Sequence, residues 1–140
     1  MSVRDPVEEQ PLESPFKGKT GVVRIFHAFF HSCAGLSDAF RHESAFRQEI
    51  LLAAILVPLA LWLPVGAAGR ALLVATVLLV MVVELLNTGV EVAIDRISYE
   101  HHSLSKRAKD IGSAAVLVAL VLMVAVWALV AGPVALAALG

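Results

Sequence analysis

Three long apolar stretches without a charged residue, at 50–69, 71–83 and 111–140, constrain this sequence more than any other feature. A helix needs about 20 apolar residues to cross the hydrocarbon core of a bilayer, so the first and third stretches are each long enough to span it. The second is too short by itself, so its helix must continue past Glu84, Asn87 and Glu91. With 59% hydrophobic residues, the chain is also more apolar than soluble proteins, which have about 45–50%. We therefore predict an integral membrane protein with three spans.

The segment before the first span predicts a helix on the membrane surface. Between Val22 and Phe40, apolar residues recur at helical spacing, while Arg24, His27 and His31 lie on the opposite side. We therefore predict an all-α integral membrane fold with a surface helix over residues 20–41 and spans over residues 45–66, 69–94 and 108–132. Residues 1–18 are polar and contain several prolines, which indicates a flexible cytoplasmic tail. Residues 19–140 then form a single membrane domain.

The basic residues predict how the chain is oriented. All lysines and arginines except Arg70 lie before the first span or between the second and third. The positive-inside rule then places the N-terminus and the loop at 95–110 in the cytoplasm, and the turn at 66–70 and the C-terminus outside. The N-terminal residues lack the apolar core of a signal peptide, so we expect them to stay in the cytoplasm.

Several function classes find no support in the sequence. A net charge of −1 does not indicate a nucleic acid partner, and Cys33 is the only cysteine, which excludes an internal disulfide. Lys19 resembles the lysine of a phosphate-binding loop, but Glu13 occupies the position where that motif requires its first glycine. A zinc-protease pattern beginning at His42 fails because its second histidine position is Phe46. No internal repeat suggests a transporter.

The polar residues of the second span lie on one side of its helix. Glu84, Asn87, Glu91 and Asp95 are spaced by three or four positions, which places them within about 80° of arc. Inserting a charged side chain into a membrane span costs free energy, so such residues are interpreted as functional by default. The alternative is that these acids serve no function and extend their side chains to the membrane surface.

Two further polar clusters are predicted at the same cytoplasmic depth. The first cluster lies at the start of the third span and consists of Ser105, Lys106, Lys109, Asp110 and Ser113. The second lies at the start of the first span and consists of Glu43, Arg47, Gln48 and Glu49. Basic residues here are equally typical of membrane anchors. Acids beside a lysine nevertheless suit phosphoryl transfer, because carboxylates hold Mg²⁺, a lysine offsets phosphate charge and a further carboxylate accepts a proton.

Three sequence blocks resemble the prokaryotic diacylglycerol kinases, in particular those of Gram-negative bacteria. The blocks are ESAFRQE at 43–49, ELLNTGVEVAIDRI at 84–97 and RAKDIGSAAV at 107–116. The resemblance extends over residues 24–126. It implies a homotrimer with active sites shared between subunits, in the bacterial inner membrane, which uses Mg²⁺ and ATP to phosphorylate diacylglycerol.

The resemblance also implies a role for individual residues. It makes Glu84 the general base, and it makes Glu43 and Glu91 the ligands of Mg²⁺ on ATP, with Asn87 supporting that site. The positions that correspond to nucleotide contacts are Arg24, His31, Glu43, Glu91, Glu100, His101, His102, Lys109 and Asp110. Those that correspond to lipid contacts are Arg24, Ala45, Phe46, Arg47, Gln48, Glu49, Glu84 and Ser113. His27 and His31 depart from the lysine and tyrosine that are common in the family.

Two other functions are considered. Undecaprenol kinase is a sibling activity in the Gram-positive branch of the superfamily, with similar spans and glutamates. A small proton-coupled transporter belongs to another class, and its acid should lie near the midplane of the first span or in repeated halves. Here the acids extend toward the cytoplasmic edge and Lys109, where ATP is present, which favours a kinase.

Overall fold

The computed structural model describes residues 21–97 and 103–139, and every element within these ranges is an α-helix. The helices are α1 (Val22–His42), α2 (Ser44–Trp62), α3 (Ala67–Ile97), α4 (Ser103–Val130) and α5 (Gly132–Leu139). This confirms the all-α prediction for the described ranges. The predicted tail at 1–18 and the nucleotide contacts Glu100, His101 and His102 lie outside them.

Helices α2, α3 and α4 are long and apolar enough to cross a membrane, which confirms the three-span prediction by length and composition. Their bounds differ from the predicted ones at several ends. Helix α2 ends at Trp62 because Leu63, which precedes a proline, adopts an extended backbone with ψ 141°. Helix α3 extends to Ile97 and α4 already begins at Ser103.

Pro58 lies inside α2, so the helix continues through this proline as the predicted span over residues 45–66 requires. The end of the third apolar stretch forms a separate short helix, α5, after a turn at Ala131. Pro133 lies in the first turn of α5, where a proline costs no hydrogen bond because the first N–H groups of a helix have no partner.

The described residues divide into two compact units, one ending at Leu36 and the other beginning at Ser37. In the second unit, α3 is the central helix and packs against both α2 and α4. The buried core is formed by Val77 and Val80 of α3 with Ala119 and Met123 of α4. The indole Nε1 of Trp127 donates a hydrogen bond to the Leu73 carbonyl at 3.3 Å, which ties α4 to α3 through a backbone group.

Within the first unit, α1 presents exposed apolar side chains such as Val22, Ile25, Phe26 and Phe29. This agrees with the amphipathic pattern expected of a helix that lies on a membrane, where lipid would cover those side chains.

At the other end of α1, Arg47 of α2 donates hydrogen bonds to the carbonyls of Phe40 and Arg41, both at 3.1 Å. The last carbonyls of a helix lack partners within it, so the guanidinium group caps α1.

Candidate active site

The polar face of α3 passes from a buried to an exposed environment along the helix. Glu84 is buried, with 6% of its surface exposed, whereas Asn87 and Glu91 are partly buried and the Asp95 side chain is 45% exposed. Helical spacing accounts for the common face, and the packing of α3 between α2 and α4 accounts for the burial. Glu84 is therefore the most sequestered carboxylate of the four-residue face.

Carboxylates from α2 approach this face of α3. Glu49, which is partly buried, lies close enough to Glu84 for their charges to repel. The charge of Glu84 is also repelled by those of Glu91 and Glu43. The Oε2 atom of Glu49 is buried without a hydrogen-bond partner among the described residues. Acids of α3, of α2 and at the N-cap of α2 thus lie within electrostatic range of one another, an arrangement that a bound cation would stabilise.

Glu43 lies where α1 gives way to α2. It occupies the N-cap position of α2 with extended backbone angles (φ −102°, ψ 116°), and its carboxylate makes no capping hydrogen bond. Its amide donates to the Ala39 carbonyl at 2.8 Å, which holds the junction between the two helices. The backbone of Glu43 is therefore held by a hydrogen bond, while its carboxylate makes no capping hydrogen bond and can bind another group.

Asn87 connects the acidic face to α4. Its Nδ2 group donates a hydrogen bond to Glu91 Oε1 at 3.2 Å. Its Oδ1 atom is buried and has no hydrogen-bond partner among the described residues. This oxygen faces Gly112 on α4 so closely that a Cβ atom at that position would collide with it. The amide is thus confined between Glu91 and the α4 backbone.

Lysine side chains at the start of α4 meet acids in two ion pairs. Lys109 Nζ lies 2.6 Å from Asp95 Oδ1, so this contact joins α4 to the acidic face of α3. Lys106 pairs with Asp110 at 2.7 Å within α4, and both side chains are largely exposed. The Lys109 ammonium also interacts electrostatically with Glu91. A cation therefore lies beside the acidic cluster, as phosphate chemistry requires.

The donor set is chemically suited to Mg²⁺. The described residues contain no group of three or more His, Cys, Asp or Glu side chains placed to hold a metal ion. Mg²⁺ needs no such cage at a kinase site, because one or two carboxylates and the substrate phosphates complete its octahedron with water. Glu43, whose carboxylate makes no capping hydrogen bond, and Glu91, one of whose oxygens accepts from Asn87, would supply these carboxylates.

The predicted lipid contacts differ in their surroundings. Ala45, Gln48 and Ser113 are exposed. Phe46 is only 1% exposed, so its side chain packs inside the chain and is closed to a lipid in this conformation. Arg47 is exposed, but its guanidinium group caps α1.

Arg24 and His31 are exposed on α1 within the first unit. Their predicted roles at the nucleotide stay predictions, as do those of the other site residues.

Two features of the site did not follow from the sequence. Asp95 was recognised as part of the polar face, but its pairing with Lys109 across two helices was not predicted. Gly112 belongs to the third block that resembles the family, but its close approach to Asn87 has no sequence signal beyond that of a glycine inside a helix, a position that often marks close packing.

Comparison with known proteins identifies relatives over most of the chain. The family model of prokaryotic diacylglycerol kinase matches residues 30–131. A diacylglycerol kinase of Pseudomonas aeruginosa is 52% identical over 115 residues, which are 82% of this chain and 94% of that protein. The diacylglycerol kinase of Escherichia coli K12 is 49% identical over 108 residues, 77% of this chain and 88% of its own. One from Helicobacter pylori strain 26695 is 42% identical over 116 residues, 83% and 90% respectively.

These similarities confirm the resemblance carried by the three sequence blocks and the prediction of a kinase. The chain belongs to the prokaryotic diacylglycerol kinase family.

Proposed function

We propose that this protein transfers the γ-phosphoryl group of ATP to the primary hydroxyl of diacylglycerol, giving phosphatidic acid at the cytoplasmic face of the membrane. The observation that supports this most directly is the buried Glu84 carboxylate within a cluster of acids from α2 and α3. Lys109 lies at the edge of the same cluster, paired with Asp95. A buried base beside acids and a cation is what transfer to a membrane-embedded alcohol requires.

Glu84 acts as the general base in this proposal. The lipid oxygen attacks the γ-phosphorus, a new O–P bond forms, and the bond from phosphorus to the bridging oxygen of ADP breaks. The hydroxyl proton passes to the Glu84 carboxylate. Burial removes this carboxylate from water, so that water does not compete for it, and the lipid hydroxyl would have to reach it between the helices.

Glu43 and Glu91 hold Mg²⁺ in this proposal. When bound, Mg²⁺ offsets the negative charge of the ATP phosphates. Glu43 suits the role because its carboxylate makes no capping hydrogen bond, and Glu91 because Asn87 steadies one of its oxygens. Lys109 would move from Asp95 toward the ATP phosphates, whose several negative charges attract an ammonium group.

The preference for diacylglycerol over undecaprenol is supported by the relatives described above, which carry the name diacylglycerol kinase. The family match also favours a kinase over a proton-coupled transporter.

A homotrimer with active sites between subunits belongs to the same proposal. Glu91, Asn87 and Lys109 are only partly buried in a single chain, so a neighbouring copy has room to complete the site. The protein would lie in the bacterial inner membrane, with its N-terminus in the cytoplasm and its C-terminus in the periplasm. The distribution of basic residues supports this orientation.

The test is phosphate transfer by the purified chain in detergent micelles. The protein is incubated with Mg²⁺, ATP labelled in the γ-phosphate, and either diacylglycerol or undecaprenol, and the extracted lipids are separated. We expect labelled phosphatidic acid with Glu84 intact and very little with Glu84→Gln. Label in undecaprenyl phosphate alone would replace the substrate assignment, and label in neither lipid would reject the kinase proposal.

A further inference from the structure

Gly112 and Asn87 approach each other more closely than any other residue type at position 112 would allow. An ideal Cβ atom built on Gly112 would overlap Asn87 Oδ1, and its three nearest neighbours are all atoms of the Asn87 side chain. On its other side, the same amide donates to Glu91 Oε1 at 3.2 Å. The rotamer of Asn87 is therefore defined by the α4 backbone on one side and by Glu91 on the other.

Among the residues that the structure describes, none on the α4 side of the groove offers the amide another polar partner. A groove of about 450 Å³ between α3 and α4 is lined by apolar residues such as Val90 and Ile111 and by Gly112. Asn87 is the one polar side chain among the described residues that line it. Its Oδ1 atom has no hydrogen-bond partner among the described residues. Steric fit against Gly112, rather than a second hydrogen bond, therefore keeps the amide in place.

We propose that Gly112 is a positioning residue for the active site: the space left by its missing Cβ holds the Asn87 amide so that Nδ2 orients the Glu91 carboxylate. The link to catalysis rests on the proposed function, in which Glu91 binds Mg²⁺ on ATP. The link between Gly112, Asn87 and Glu91 rests on the contacts alone.

Gly112→Ala should disturb α4 little but displace the side-chain amide of Asn87. Alanine is a better helix former than glycine, so α4 itself should be stabilised. The atom that must move is the far end of a rotatable side chain, so the fold should accommodate the change. The amide then turns away and Glu91 loses its donor. Loss of one hydrogen bond to a charged group should weaken binding about tenfold.

The experiment is a double-mutant cycle on the full-length protein in detergent. Parent, Gly112→Ala, Asn87→Ala and the double variant are compared for binding of Mg²⁺ with a non-hydrolysable ATP analogue by calorimetry, and for thermal unfolding. We expect Gly112→Ala to weaken binding about tenfold without lowering the unfolding temperature. In the Asn87→Ala background, the same change should add nothing, because the group through which Gly112 acts is gone.

Gly89→Ala is the matched control, since a Cβ at Gly89 meets no described atom within 4 Å. It should bind like the parent. Equal losses from Gly112→Ala in both backgrounds would overturn the proposal, and so would the absence of any loss together with unshifted Asn87 amide resonances. If Gly112→Ala destabilises the protein, recovery of stability in the double variant supports a clash with Asn87, and failure to recover contradicts it.

A second readout separates this inference from the proposed function. The side-chain amide resonances of Asn87, measured by NMR without nucleotide or metal, should shift in Gly112→Ala and stay unchanged in Gly89→Ala. A shift without altered metal-nucleotide binding would leave the positioning of Asn87 in place and reject Glu91 as the metal ligand. Unshifted resonances would reject the positioning role whatever the protein phosphorylates.

Discussion

Replacing Glu84 with glutamine tests the central part of the proposed mechanism. Glutamine has nearly the same volume and still accepts a hydrogen bond, but it does not take the proton of the attacking hydroxyl. A general base contributes about 10²–10⁴-fold, so turnover should fall by that factor, a barrier increase of about 2.7–5.4 kcal/mol. Stability should not fall, because the substitution removes a buried charge that Glu49, Glu91 and Glu43 repel.

The assay measures turnover, nucleotide affinity and thermal unfolding on one preparation. Thr76→Val is a suitable control, since Thr76 is equally buried on α3 and its hydroxyl bonds to the Leu73 carbonyl at 3.0 Å within the helix. It should leave turnover near that of the parent. Near-normal turnover of Glu84→Gln would refute the general-base role, and lost nucleotide binding or an unfolded protein would make Glu84 a structural residue instead.

Three further predictions concern the metal site, the lysine and the topology. Glu91→Gln should raise the Mg²⁺ concentration needed for half-maximal activity, because an amide oxygen lacks the charge that attracts a hard cation; a titration that alters only the lipid dependence would move Glu91 to the substrate. Asp95→Asn should release Lys109 from its 2.6 Å contact and change the KM for ATP more than that for lipid, and equal changes in both would argue against a link to the nucleotide. In a cysteine-free background, a cysteine at Ser103 should react with impermeant reagent only from the cytoplasm and one at Ala68 only from outside, and the reverse pattern would overturn the orientation.

Much of the fold was predictable because membrane spans depend on local properties of the sequence. The length of an uncharged apolar stretch determines whether it can cross a bilayer, so α2 and α4 could be recognised individually. The continuation of α3 past Glu84 followed from the shortness of its apolar stretch. The exact helix ends have no comparable signal, because the extended backbone at Leu63 and the start of α4 at Ser103 depend on turns between helices.

The active-site residues were predictable where they repeat along one helix. The spacing of Glu84, Asn87 and Glu91 places them on one face of any α-helix, and family resemblance supplied their expected roles. The inward packing of Phe46 and the capping role of Arg47 had no such signal. Both residues belong to a block that resembles the family, and their predicted lipid contacts stay predictions.

The number of spans, the polar face of α3 and the family therefore follow from the order of the amino acids alone. The tertiary structure decided which partner each polar group takes: Lys109 pairs with Asp95, and the Asn87 amide lies between Glu91 and Gly112. The physical reason is that helical periodicity relates residues within one helix. Contacts between helices depend on their rotation and axial register, which only the packing of α3 against α2 and α4 sets.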